Sequence, residues 1–336
     1  MLCQRGGWTV IPVLFPAENE LKTYNFFLLA QNDSLLLIDA GIDTDPCWHF
    51  FLETLDQHQF RLQDLKGIIL THNHVDHVGL VNRILDQVEV PIFAHLAAIP
   101  RLKRDKNFFE MRINFFRQLY EEMGCGQAGK EQVERLLKAA QENEKRKLKG
   151  EILPLKEGQK ISGLMVAETP GHSPDHLIFY DGQRKWVFGG DLLIAHISSN
   201  AIVEPDHEGR KMLTLIQHIQ SLQKCFELEA ELFFPGHGEL ITDHRGLIQR
   251  RLQRIEEKSE KLLELINQGI RTADQLARTY YKNVYQQQFS LVMSEIIGHL
   301  DYLEAKGLVE KEKKNGVWVY SPAPFSRGQA SKAVSP

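Results

Sequence analysis

The chain opens with short apolar, β-branched runs broken by polar turns. Residues 9–15, 24–30 and 35–39 read as strands, the last two separated by the turn formers Gln31-Asn32-Asp33-Ser34. Residues 46–59 carry apolar side chains at helical spacing, and 66–70 form a short buried strand ending at Thr71. Residues 76–85 open a second helix and 90–94 make another strand. Strand and helix alternate, so an α/β layered domain is expected.

Between about 97 and 150 the texture changes. Helical stretches at 107–123 and 130–149 flank Gly124-Cys125-Gly126; the first is aromatic (Phe108, Phe109, Phe115, Phe116, Tyr120) and the second mostly charged. Strands return at 161–168, 176–180 and 186–188, followed by a helix over 211–225 and a strand over 231–234. The helical pair therefore reads as an insertion in a β-rich host. After Gly238 the chain is helical again: 245–268 up to a stop at Gly269, then 272–281 behind a threonine cap, then 290–306. Residues 308–312 and 316–321 pair as a hairpin around Lys314-Asn315-Gly316. Helix, helix and hairpin is winged-helix order. The resulting division is a domain over 1–245, a long helix with a winged-helix-like domain over 246–325, and a loose tail over 326–336.

Composition narrows the class only a little. At 336 residues, with 43% apolar and 25% charged positions, the chain is an ordinary globular protein rather than a disordered or collagen-like one. A net charge of −4 supplies no general attraction to nucleic acid. Cys3, Cys47, Cys125 and Cys225 are far apart and form no CxxC pair, which fits a reducing compartment better than a disulfide framework. No apolar run is long enough for a bilayer, and the first residues lack a signal-peptide pattern. A cytoplasmic protein without a membrane partner is expected.

Chemistry concentrates in Thr71-His72-Asn73-His74-Val75-Asp76-His77, where four metal-ligand side chains fall within six residues at a strand end. Borderline divalent cations favour imidazole and carboxylate. Three weaker pieces share the character: Thr169-Pro170-Gly171-His172-Ser173, Phe188-Gly189-Gly190-Asp191 and Phe234-Pro235-Gly236-His237-Gly238, each ending a strand on a His or Asp. His95 and His176 read as structural. Arg101, Lys103, Arg104 and Lys106 read as a solvated face rather than as phosphate contacts. The aromatic insertion has two readings, a cap over the metal edge that receives an apolar substrate tail, or a local packing unit.

THNHVDHVG, PGHS, GGD and PGHG, in this order, resemble the metallo-β-lactamase superfamily, and Ile38-Asp39-Ala40-Gly41 matches its early Asp-x-Gly motif. The resemblance covers about 10–241 apart from the insertion. It implies a four-layer αβ/βα sandwich with metals at one edge. It also implies a glyoxalase II-like ligand set: His72, His74 and His172 for one metal, Asp76, His77 and His237 for the other, Asp191 bridging, and Asp39 behind the ligands. Leu80 departs from the pattern, since the family often has a second glycine there. The resemblance implies two divalent ions, zinc first with iron or manganese as alternatives, and hydrolysis by a bridging hydroxide, with Asp76 and Asp191 as the catalytic carboxylates. His196 and Asn200 are expected at the substrate mouth.

The C-terminal region resembles a winged-helix domain appended to one branch of that superfamily. Its helix over 290–306 sets Lys306 against Glu295, Asp301 and Glu304, so DNA reading is not expected. The leading function is hydrolysis of a small-molecule thioester or ester. The runner-up is a metal-dependent endoribonuclease, and a third class is an iron-dependent sulfur dioxygenase or diiron redox protein. A homodimer is left open.

Overall fold

The computed structural model describes residues 2–31 and 34–324; the tail expected at 326–336 and the centre of the turn expected at 31–34 lie outside them. Strands β1 (Cys3–Arg5), β2 (Trp8–Pro16), β3 (Thr23–Gln31) and β4 (Ser34–Ile38) form an antiparallel meander. Strands β5 (Leu65–Ile69), β6 (Ile92–His95) and β7 (Ile152–Leu155) add to it in parallel, giving a seven-stranded sheet in sequence order. Helices α1 (Asp45–Gln57), α2 (Val75–Val78) and α3 (Val81–Leu85) link the parallel strands. Thr44 caps α1 by accepting the Cys47 amide at 3.3 Å, and Pro46 fits its first turn.

Alternation along the strands builds two apolar layers at once. Phe27, Leu29, Leu36 and Ile38 face inward to the second sheet, while Phe26, Leu28, Leu35 and Leu37 face outward to Phe51, Leu55 and Ile84. Both faces are covered, which is why these strands read as continuous apolar runs. The helix expected over 76–85 is broken at Gly79, where a Cβ would fall 2.3 Å from the Asp43 amide nitrogen. Leu80 is fully buried in the outer core, which is why an apolar side chain stands at that departure.

The second sheet has the order β12-β11-β10-β9-β8, from β8 (Lys160–Ile161), β9 (Leu164–Glu168), β10 (Leu177–Asp181), β11 (Trp186–Gly190) and β12 (Leu232–Pro235). The single strand expected over 161–168 is split by a turn at Ser162-Gly163, both with positive φ. Its inner face meets the first sheet through Val166, Leu177, Phe179, Phe188 and Phe234. Its outer face carries Ile178, Val187 and Phe233 against Leu222, Cys225, Leu247 and Ile248. The order of layers is helix, sheet, sheet, helix.

Helices α4 (Ile99–Leu102), α5 (Lys106–Glu122) and α6 (Gly126–Glu142) form the insertion between β6 and β7. Next come α7 (Thr214–Phe226), the long α8 (His244–Asn267), α9 (Ala273–Tyr281), α10 (Val284–Gln287) and α11 (Phe289–Ala305). A hairpin of β13 (Val309–Lys314) and β14 (Val317–Pro322) follows. The insertion does not shield its aromatics by itself. Phe116, Leu119, Tyr120 and Met123 share one core with Leu276, Tyr285, Val292, Ile296 and Tyr320. No helix of the described residues is long and apolar enough to cross a membrane.

Candidate metal centre

The seven candidate ligands follow the C-terminal ends of β5, β9, β11 and β12, so both sheets deliver them to one edge. Beyond β5 the chain bends at Thr71 and runs without regular structure to His74, which precedes α2 with φ −65° and ψ 149°. This segment brings His72 and His74 together beside His172, and the first turn of α2 supplies Asp76 and His77. Gly236 makes the close approach of the two sheets feasible, because a Cβ there would lie 2.3 Å from Asp191 Oδ1 and 2.6 Å from His77 Cε1.

Three sets of donor atoms lie within 4.8 Å of one another: His72, His74 and His172; His72, His77 and Asp191; Asp76, His77 and His237. Asp191 stands between the outer two. Its Oδ1 is 3.3 Å from His77 Nε2, and its Oδ2 is 3.5 Å from His172 Nε2 and 3.2 Å from His237 Nε2. His237 Nε2 is 3.5 Å from Asp76 Oδ2, and His172 Nε2 is 3.1 Å from His74 Nδ1.

The outward nitrogen of each of four rings is engaged. His237 Nδ1 donates to the Thr23 carbonyl at 2.8 Å and His172 Nδ1 to the Asn200 carbonyl at 2.9 Å. His77 Nδ1 donates to Asp39 Oδ2 at 2.8 Å. Thr71 gives its hydroxyl proton to the same oxygen at 2.7 Å, so its lone pair takes His72 Nδ1–H at 3.0 Å. In its neutral form each ring is thereby set in the tautomer that leaves Nε2 as a lone pair aimed inward. His72 Nε2, His77 Nε2, His237 Nε2 and Asp191 Oδ1 are buried with no hydrogen-bond partner. Buried polar atoms are rarely left so. A cluster of inward lone pairs around a carboxylate fits cations, and the nitrogen and oxygen donors suit borderline divalent ones.

Charge favours the same reading. Burial drives His72 far below the ordinary imidazole pKa, lowers His74, and lowers His172 to about 4. Burial opposes ionisation of Asp191, yet His77 and His237 outweigh it and hold the carboxyl well below its usual range. His77 is held well above its ordinary value, burial being outweighed by Asp191 and Asp39. Burial likewise opposes protonation of His237, but Asp191 outweighs it and raises the pKa. The cluster thus combines three imidazoles that resist protonation, His72, His74 and His172, with a carboxylate that stays charged and draws positive charge onto His77 and His237.

Several supports are not singled out in the sequence. Thr71, the first residue of THNHVDHVG, joins His72 to Asp39, Thr23 holds His237 and the Gly238 amide, and Ser199 Oγ lies 3.0 Å from His172 Nδ1. His176 Nε2 accepts the Asp191 amide at 3.0 Å and its Nδ1 meets Thr169 Oγ1 at 2.8 Å, so it positions the backbone of Asp191. His95 pairs with Glu168 at 3.3 Å. His196 Nε2 binds the Glu20 carbonyl at 2.8 Å, while Asn200 holds His172 through its carbonyl oxygen. Neither lines the cavity at the metal edge; Asn200 lines a second cavity, beside α8 and α11.

A cavity of ≈ 510 Å³ opens from this edge, lined by Asn73, His74, Asp76 and His172 and also by Phe109, Arg104 and Arg146. The solvated face expected at 101–106 is not what forms. Arg101 is buried against Glu204 at 3.2 Å, Lys103 donates to the Leu148 carbonyl at 3.0 Å, and Arg104 lines the cavity. α4 buries Arg101 and the turn after it leaves Lys103 and Arg104 half-buried, so Lys106 alone of the four is exposed.

The family model of the metallo-beta-lactamase superfamily matches residues 21–237. Probable metallo-hydrolase YqjP of Bacillus subtilis (strain 168) is 34% identical over 284 residues, covering 83% of this chain and 87% of the relative. Atrochrysone carboxyl ACP thioesterase of Aspergillus fumigatus is 23% identical over 249 residues, 74% of this chain and 61% of the relative. The crystal structure of a metallo-beta-lactamase family protein from Thermus thermophilus superposes with a TM-score of 0.75 at 24% identity, over 93% of this chain and 98% of that one. Motifs, layers and matches agree: the chain belongs to the metallo-β-lactamase superfamily.

Proposed function

We propose that the protein is a dinuclear metal-dependent hydrolase of a small-molecule thioester or ester. The observation that carries this reading is the ring of buried, unpartnered Nε2 atoms around Asp191. His72, His74 and His172 would hold one cation, Asp76, His77 and His237 the other, and Asp191 both. Zinc is the first candidate for both positions, iron or manganese the alternatives. When bound, two such cations supply a water deprotonated near neutral pH and polarise the acyl oxygen of the substrate.

The protein's own groups favour a leaving group that needs no proton. Of the carboxylates lining the cavity, Asp43 is paired with Arg83 and Glu204 with Arg101 and Arg112, leaving Asp76 beside the reacting edge. The residues after Asp191 are Leu192, Leu193 and Ile194, all buried and without a proton to give. A thiolate departs without protonation more readily than an alkoxide, since a free thiol has a pKa near ~8.5. The thioesterase from Aspergillus among the relatives supports the same substrate class.

We divide the chain into a catalytic domain over 1–245 with its helical insertion, and a winged-helix-like module over 246–325. The module serves packing rather than DNA reading, because α11 buries Val292, Ile296, Leu300 and Leu303 and packs against α7, α8 and α9. A cytoplasmic location is kept with this reading. The arginines at the cavity favour one alternative, a metal-dependent endoribonuclease. Turnover of a generic thioester with zinc, lost in Asp191→Asn, together with intact single-stranded RNA, is the expected result. Cleavage of RNA without thioester turnover would reverse the order of the two.

A further inference from the structure

The positive charge lining the cavity, from Arg101, Arg104, Arg112, Lys145 and Arg146, is not balanced by its carboxylates Asp43, Asp76 and Glu204. Glu204, buried, receives both Arg101 and Arg112, the latter through Nε at 2.7 Å and a second contact from Nη2. Arg104 forms no salt bridge among the described residues, and its Nε is buried without a hydrogen-bond partner. Its guanidinium lies over the Phe109 ring at 5.4 Å. Around it stand further cations, Arg146 and Arg112, and one exposed carboxylate, Glu144. Burial and Arg146 both disfavour its charge. Lys145 lines the cavity next to Arg146.

The backbone at Arg104 carries a cost as well. α4 ends in a turn in which the Asp105 amide donates to the Pro100 carbonyl at 2.9 Å and the Arg104 amide to the Arg101 carbonyl at 3.3 Å. That pattern places Arg104 at the position where helices prefer glycine, and its φ is +53°. A side chain in the left-handed region is disfavoured relative to glycine. Here an arginine occupies the position, partly buried, unpaired and beside another cation. Such strain concentrates where a residue serves a ligand.

We infer that Arg104, with Arg146 and Lys145, forms a subsite for a phosphate group on the thiol half of the substrate. The inference rests on the thioester reading for the identity of that half, but the subsite itself is a statement about phosphate. A guanidinium fork matches phosphate oxygens two at a time, which a solvated lysine does not. The same cavity holds His74, Asp76 and His172, so one molecule can place its phosphate at Arg104 and its acyl group at the metal edge. The volume suits a ligand of that size. Arg104 is then a specificity-determining residue and takes no part in bond cleavage.

The test uses the full-length, metal-loaded protein and calorimetric binding of ADP, with adenosine as the phosphate-free control. Wild type is expected to bind ADP more tightly than adenosine, and Arg104→Gly to weaken ADP by about ten- to hundredfold. Arg104→Gly should also melt at or above the wild-type temperature, because glycine relieves the left-handed φ; loss of binding is thus separated from loss of fold. The ratio of kcat/KM for a coenzyme A thioester to that for the matching phosphate-free N-acetylcysteamine thioester should fall in the variant, through KM rather than kcat. Equal ADP binding by the two proteins overturns the subsite, as does binding of an oligoribonucleotide with no response to ADP. ADP binding that depends on Arg104 without thioester turnover would sink the activity reading and leave the subsite standing.

Discussion

Asp39 Oδ2 accepts Nδ1–H of His77 at 2.8 Å, while its Oδ1 takes the amide of Thr71 at 2.7 Å. One carboxylate therefore fixes His77 directly and His72 through the Thr71 hydroxyl. Asp39 has φ +59°, a region that Asp and Asn enter more readily than other side chains. Asp39→Asn keeps the backbone and removes the charge behind the ring. Its cation affinity should fall by about 10- to 100-fold in chelator competition. An unchanged affinity would show that the contact does not act on the centre.

Gly236→Ala tests the packing of the two sheets at the same edge. The added methyl would meet Asp191 Oδ1 and His77 Cε1, neither of which has room to move without leaving the cluster. Displacement of this kind can lower turnover by about a hundredfold. Circular dichroism should change little, because Gly236 lies in the loop after β12 and not in a core layer. Full turnover in this variant would contradict the described approach.

Glu204 ties α5 of the insertion to the segment between β11 and α7. Burial opposes its ionisation, but Arg112 and Arg101 outweigh burial and depress its pKa below the ordinary 4.5. The stability it contributes is therefore fully present above the ordinary value and is lost as pH falls through the depressed one. Glu204→Gln leaves two arginines without their anion and should cost about 3–5 kcal/mol at neutral pH in urea unfolding. The gap from wild type should narrow in acid. A gap that stays constant with pH would assign the loss to packing instead.

Phe116 is buried in the core shared by the insertion and the C-terminal helices. Phe116→Ala should destabilise the protein by about 3–5 kcal/mol. Hydrogen exchange is expected to quicken in α5 and in α11 together, since each covers the other. Faster exchange confined to α5 would mean the two regions are not one cooperative unit.

Much of the candidate site was legible because its candidate ligands fall in short local motifs at strand ends. His72, His74, Asp76 and His77 lie within six residues, and Pro-Gly or Gly-Gly turns mark His172, Asp191 and His237. The main strands were legible too, as apolar runs between turn residues. β1 was not, being three residues with only Cys3 partly buried, nor was β7, where Pro154 interrupts the pattern near the sheet edge. Contacts between distant positions left no local trace. Phe116 meets the helices after 262, and Glu204 meets Arg101 and Arg112, 103 and 92 positions away. The charges over 101–106 looked solvated because a charge run alone does not tell which way a four-residue helix turns them.

The most direct measurement is the number of divalent cations bound per chain, taken by elemental analysis of the purified full-length protein and of two variants. Two equivalents are expected in wild type. His74→Ala should lose the cation shared by His72, His74 and His172, and His237→Ala the one shared by Asp76, His77 and His237, each keeping the other cation and a native far-ultraviolet spectrum. One equivalent or none in wild type, or two in both variants, would contradict a two-cation centre built around Asp191.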